Sequence, residues 1–145
     1  MGSNNKNGFT LIELLIVIAM IGVVSAIATP SFKIYIGKSR LNGAARMVVS
    51  DLMAARMKAV KMNRDMRIDF PTSGGGQYTV DVGSAEAVTN DIRNHYLGVS
   101  VASTITSVTF HSTGEAEAVN PTITVSNSFG NKTITISIAG GISVS

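Results

Sequence analysis

Few side chains in this 145-residue sequence have the type and spacing to do chemistry, and the most unusual is Glu13. It is the single charge in residues 9–28, FTLIELLIVIAMIGVVSAIA. An acid at the middle of a membrane-spanning helix costs about 2.5–3.5 kcal/mol on insertion scales, and less near an end, so it calls for a partner. One explanation is local: Thr10-x-x-Glu13 fits a capping box, with an acid in the first turn favouring the helix macrodipole. Another involves bond cleavage. A secretory signal is cut behind its apolar stretch, whereas here the small residue, Gly8, stands in front of it. A cut after Gly8 leaves the helix attached and gives Phe9 a cationic amine one turn from Glu13; a neighbouring subunit's amine then neutralises the carboxylate.

The other candidates carry less. His95 and His111 have no metal-ligand spacing around them and read as structural. Glu115 and Glu117 sit beside a turn at Gly114 and read as a solvated loop rather than an acid/base pair. Gly74-Gly75-Gly76 lacks the lysine of a phosphate loop. Asn131-Lys132-Thr133 fits a glycosylation acceptor, but a hairpin turn at Gly130-Asn131 is the default reading. With no cysteine in the chain, disulfides and thiolate metal sites are excluded. No catalytic residue, no metal site and no cofactor is expected, and the chain does not read as an enzyme.

The elements that must position Glu13 follow from periodicity. As a helix, residues 9–28 span roughly 30 Å, the thickness of a bilayer's hydrocarbon core. Pro30, which lacks an amide proton and clashes with the preceding turn, is expected to kink or locally open the helix just past the span, and Gly22 is a second soft point for a kink. Beyond Pro30, Leu41, Ala45, Val48, Leu52, Ala55, Ala59 and Met62 step by fours and threes, the stripe of an amphipathic helix facing a core. After Asn63 the period becomes two. Met66, Ile68 and Phe70, then Tyr78, Val80 and Val82, predict a hairpin around a turn at residues 71–76, and residues 84–95 read as a polar loop. Further strands are expected at 99–102, 107–111, 122–127, 132–138 and 142–144, with turns at Gly114, Gly130-Asn131 and Gly140-Gly141. The fold class is α+β: a long N-terminal helix, transmembrane in its first half, packed on an antiparallel β-sheet. The expected organisation is a leader at 1–8, a hydrophobic helix at 9–30, an amphipathic helix at 31–65 and a β region at 66–145.

Charge is unevenly spread. Residues 29–70 hold nine basic and three acidic side chains, a net of +6, whereas residues 71–145 hold two and five, a net of −3. Such opposed patches suit head-to-tail contacts between subunits. By the positive-inside rule, Lys33, Lys38, Arg40 and Arg46 against Lys6 would place the C-terminal part on the cytoplasmic side.

Gly8-Phe9-Thr10-Leu11-Ile12-Glu13 followed by the apolar run resembles the type III signal of type IV pilins and type II secretion pseudopilins. Residues 45–64, ARMVVSDLMAARMKAVKMNR, are similar to the helix of the GspH/FimT group of minor pilins and pseudopilins, and Val108-Thr109-Phe110 with Gly114 resembles a strand and turn of their globular domain. The resemblance implies that a prepilin peptidase cuts between Gly8 and Phe9 and methylates Phe9. It also implies that Glu13 pairs with the N-terminus of the adjacent subunit, and that the helix melts locally near Pro30 in filaments. The implied function is a structural subunit that assembles, near the tip, into a type IV pilus or a type II secretion pseudopilus. Its partners are then prepilin peptidase, other pilins or pseudopilins through the N-terminal helix, and an inner-membrane assembly platform. The implied location is the bacterial inner membrane, single-pass with the globular domain periplasmic, and then the filament. This overrides the charge count across the span. The alternatives are a tip pilin that binds DNA or a surface, and an uncleaved membrane-anchored periplasmic domain. DNA is not expected as a partner, because Gly140-Gly141-Ile142-Ser143 lacks the arginine of the DNA-binding competence pilins.

Overall fold

A computed structural model of the chain describes residues 8–81, 87–117 and 120–145. The expected leader, up to residue 7, and Val82 lie outside the described residues. The elements run α1 (Leu11–Met62), β1 (Met66–Asp69), β2 (Gln77–Asp81), β3 (Ala87–Asp91), a 3-10 turn (Ile92–Asn94), β4 (Ser100–Ser103), β5 (Ser107–Phe110), β6 (Thr122–Asn127), β7 (Gly130–Ile136) and β8 (Ile142–Val144). The chain divides into two compact units, Met1–Tyr35 and Ile36–Ser145.

In the second unit the helical stripe is buried as its spacing requires. Leu41, Ala45, Val48, Leu52, Ala55 and Ala59 are all covered, and Ala44 joins them. Met62 does not: it is half exposed, because the helix stops there. Asn63 adopts a left-handed conformation, φ 49°. The Arg64 N–H then donates to the Ala59 carbonyl at 3.1 Å and the Asn63 N–H to that of Val60 at 3.3 Å, the paired bonds of a Schellman cap.

The strands are antiparallel, as expected, and divide between two four-stranded sheets, ordered β3-β2-β1-β5 and β4-β6-β7-β8. The divide falls at residues 104–106: β4 and β5 are neighbours in sequence, yet β5 pairs with β1 and β4 pairs with β6. Alternation places Ile68, Val108 and Phe110 from the first sheet and Val101, Ile123, Val125, Ile134 and Ile136 from the second in one core with the helical stripe.

Two local expectations need correction. Residues 87–91, read as polar loop, form β3, which pairs with β2 along its whole length from Gln77↔Asp91 to Asp81↔Ala87. As an edge strand with little burial it has no apolar alternation to betray it. The turn placed at Gly130-Asn131 is instead Ser128-Phe129, and Gly130 opens β7 opposite Asn127. Asn127 sets that turn: its Oδ1 accepts the Phe129 N–H at 2.9 Å, while its Nδ2 donates to the Gly37 carbonyl at 2.8 Å. Gly37 is required there, since a Cβ would lie 2.1 Å from the Phe129 ring.

One polar cluster ties α1 to the first sheet. The Asp51 carboxylate accepts the Tyr78 hydroxyl and, at 2.8 Å, the Asn90 amide. Burial, then the hydrogen bond to Asp51 and the charge on that carboxylate, push the Tyr78 hydroxyl well above its ordinary value, so it stays a neutral donor. Tyr78→Phe removes one donor to a half-buried carboxylate and is expected to cost about 1–3 kcal/mol in urea unfolding. A loss below about 0.5 kcal/mol would mean that the bond contributes nothing net.

Next to Asn90, at the end of β3, Asp91 caps the 3-10 turn. The Arg93 side chain, and then the Arg93 backbone N–H, hold its carboxyl down to about 2. A depressed carboxyl contributes stability that is complete above its unfolded value, about 3.8, and is lost as pH falls through about 2. The Arg93 amide shift, followed by NMR, should therefore titrate near pH 2; a midpoint near 3.8 would show the cap to be empty of ion pairing.

Candidate functional site

The first helical turn is built around Glu13. Gly8, Phe9 and Thr10 precede the helix and are exposed. Thr10 is the N-cap: its Oγ1 accepts the Glu13 N–H at 3.3 Å, and Glu13 Oε2 accepts both the Thr10 N–H and the Thr10 hydroxyl, each at 2.9 Å. This is a complete capping box, the local explanation that the spacing offered. It leaves the carboxylate at the surface of the first turn, close to the Gly8–Phe9 bond in sequence and fully open to another chain.

From there to Ala28 the helix presents apolar surface with one polar exception. Leu11–Ala28 has a mean hydropathy of 2.7, and none of it is buried within the chain. It is the one helix, among the described residues, long and apolar enough to cross a membrane. Even its least exposed large side chain, Val17, keeps 47% of its surface. A soluble chain rarely leaves a patch of this size uncovered. Ser25, the polar exception, donates its hydroxyl back to the Ile21 carbonyl at 2.7 Å. Gly22 and Pro30 both lie inside α1, and a Cβ on Gly22 would meet nothing within 4 Å.

The remaining candidates are scattered over the second unit. His111 Nδ1 lies 3.0 Å from Asp65 Oδ2, and Asp65 Oδ1 also accepts the Ser112 N–H, which pins the loop after β5 to the link between α1 and β1. His95 closes the 3-10 turn through its backbone N–H. Glu115 and Glu117 are exposed on either side of buried Ala116. Gly75 bridges to Val101, and Gly76 lies under Arg93, whose Nε would be 2.1 Å from an added Cβ. Asn131, Lys132 and Thr133 are residues of β7 rather than of a turn. Sequence reasoning missed Arg56. Its Nε donates to the Gly114 carbonyl at 2.9 Å and its Nη2 to the Ala139 carbonyl at 3.1 Å, joining α1 to two turns far apart in sequence.

A helix of this kind, followed by a domain of this kind, has known counterparts. Residues 44–140 match the family described as type II transport protein GspH, and residues 3–29 match the prokaryotic N-terminal methylation motif. The chain belongs to the GspH family. Members of this class of pilins and pseudopilins are structural subunits, not enzymes. The GspH-family chain is similar to two solved structures. One is the type IV minor pilin FimU of Pseudomonas aeruginosa, with 20% identity and a TM-score of 0.61 over 74% of this chain and 90% of that one. The other is the minor pseudopilin EpsH of the Vibrio cholerae type 2 secretion system, with 10% identity and a TM-score of 0.57 over 73% and 96%. These identities speak for the fold alone, a long helix on antiparallel sheets. Among sequences, fimbrial protein EcpB of Eikenella corrodens is 32% identical over 101 residues, 66% of this chain and 52% of that protein. Fimbrial protein Q of Moraxella bovis is 49% identical over 53 residues, 37% and 31%. The matches thus span between about a third and a half of those two relatives. Family and helix together make this a membrane-anchored pilin-like chain with a globular domain.

Proposed function

We propose that this GspH-family chain is cut between Gly8 and Phe9 by a prepilin peptidase, methylated on Phe9, and assembled as a minor subunit of a type IV pilus or type II secretion pseudopilus. The observation that carries the reading is the uncovered apolar helix whose sole charge stands in its first turn. Lipid can cover Leu11–Ala28, and so can a bundle of equivalent helices, but only a bundle of processed subunits brings the cationic N-terminus of a neighbour to Glu13. Transfer from lipid into the bundle then needs no net hydrophobic gain; packing and the ion pair supply the preference. Gly22 and Pro30 let the helix open locally as it is drawn into the filament. The globular domain lies on the periplasmic side before assembly, held by an inner-membrane platform, and takes a place near the tip.

Intact-mass measurement of the chain from its native membrane tests this directly. The expected mass lacks residues 1–8 and carries one added methyl group on Phe9. A full-length mass from cells that contain an active prepilin peptidase would leave Glu13 as a helix cap and make an uncleaved, membrane-anchored domain the better reading. The capping box itself favours that second reading, because it satisfies Glu13 within one chain.

A further inference from the structure

The two ends of the second sheet are finished differently. At β4 the edge is covered: Val101 and Gly75 exchange both backbone bonds, at 2.6 and 2.9 Å, and the Ser103 N–H donates to the Pro71 carbonyl at 3.0 Å. At β8, among the described residues, the sheet ends with no further strand beside it. Thr133 and Ser145 exchange both backbone bonds, at 3.0 and 2.9 Å. By the antiparallel alternation, Ile142 and Val144 stand opposite Ile136 and Ile134 in the pairs that are not bonded to each other. Their N–H and C=O groups therefore point away from β7, along the open edge.

Next to that edge the sheet leaves the helix uncovered. A cavity of about 670 Å³ lies between α1 and the strands, lined by Val49, Met53 and Met57 of the helix and by Val144. Met53, Met57 and Val144 keep 46%, 66% and 48% of their surface exposed. Its charged lining is Arg46 and Lys132, with no acidic side chain. Outward backbone groups and two cations that have no partner among the described residues, together with an apolar floor reached by every second residue of an added strand, make one composite surface.

We propose that an extended segment of another protein chain adds to β8 as a fifth strand of this sheet. Its alternate apolar side chains lie on Val49, Met53 and Met57, and acidic side chains meet Arg46 and Lys132. The backbone edge supplies affinity, the methionines accept varied apolar side chains, and the cations select for acid. The site lies wholly within the Ile36–Ser145 unit and does not depend on leader cleavage.

The test uses the full chain in detergent micelles and two soluble peptides of alternating valine and threonine, one flanked by glutamates at both ends and the other by lysines. The glutamate-flanked peptide is expected to bind about tenfold or more tighter, and the double variant Arg46→Glu with Lys132→Glu to reverse the order. Binding should slow hydrogen exchange at the Ile142 and Val144 amides. Val144→Pro removes an outward N–H without touching the bonds to β7, and should weaken binding about tenfold while exchange elsewhere is unchanged. Equal affinity for the two peptides, or no binding at millimolar concentration, would overturn the proposal. Binding without protection at Ile142 and Val144 would make the occupant a helix in the groove. Protection that rises with protein concentration in the absence of peptide would make it a second copy. Either result also overturns strand addition by a different chain.

Discussion

Glu13→Gln is expected to leave the chain membrane-inserted with its helix start capped, while its recovery in filaments falls by about thirtyfold or more. The two roles open to Glu13 separate under this substitution. Glutamine serves at the third position of a capping box as glutamate does, so the bonds with Thr10 survive. Insertion becomes easier, because no charge is carried into lipid. What disappears is attraction to the amine of a neighbouring subunit. Losing one partner of a desolvated ion pair costs about 2–5 kcal/mol, much of it from the charge left behind unpaired. The measurement is the ratio of this chain in sheared filaments to that in membranes, in cells that make the cognate pilus or pseudopilus. A variant recovered at the normal ratio would reduce Glu13 to its capping role, and Glu13→Ala would then be the more damaging change.

That separation mirrors what was legible in the sequence. The Gly8–Glu13 segment could be read because its signals are local: a glycine on the wrong side of an apolar run, and an acid inside it. The cap follows from those same residues, whereas the amine it is proposed to meet belongs to another chain. The helical stripe was legible from Leu41 to Ala59 because a spacing of threes and fours has few other causes, and it failed at Met62 only because Asn63 takes a left-handed conformation that ends the helix. β6 and β8 were located to the residue, the start of β8 being marked by the Gly140-Gly141 turn.

What escaped was whatever depends on partners across space. Alternation says which face of a strand is buried but not which strand lies beside it, so the division into two sheets was invisible. β3 escaped for a related reason: Ala87-Val88-Thr89-Asn90-Asp91 is held by backbone pairing to β2 and buries little. Nothing in the sequence singles out Asp51, because its partners Tyr78 and Asn90 stand 27 and 39 residues away. Arg56 is likewise one of the helix's many cations in the sequence, and only the fold brings the two carbonyls it binds, 58 and 83 residues away, to its half-buried side chain.

Gly140→Val should expose what Arg56 holds together. Gly140 has φ 76°, in the left-handed region, and a Cβ there would lie 2.0 Å from the Gly114 carbonyl oxygen and 2.7 Å from Arg56 Nε. The nearest atom is backbone, so no side-chain rotation relieves the contact, and the Arg56 head is fixed by its bonds to Gly114 and Ala139. A non-glycine residue costs about 1–2 kcal/mol for the left-handed conformation, and forcing atoms into a packed site adds about 1–3 kcal/mol. The expected loss is therefore about 2–5 kcal/mol. It should not fall evenly over the domain. The Gly140 turn sets the register of β8 on β7 through the Gly141 and Ser137 bonds, so β8 is the element that yields first. Hydrogen exchange should accelerate most at Ser143 and Ser145, whose amides bond to β7, before the core strands β6 and β1 respond. Arg56→Ala removes the obstruction together with the clamp. Added to Gly140→Val, it should cost less than it does alone, a coupling that a double-mutant cycle reads directly. Additive losses would mean that Gly140 is constrained by the Gly114 backbone alone and that Arg56 merely passes by.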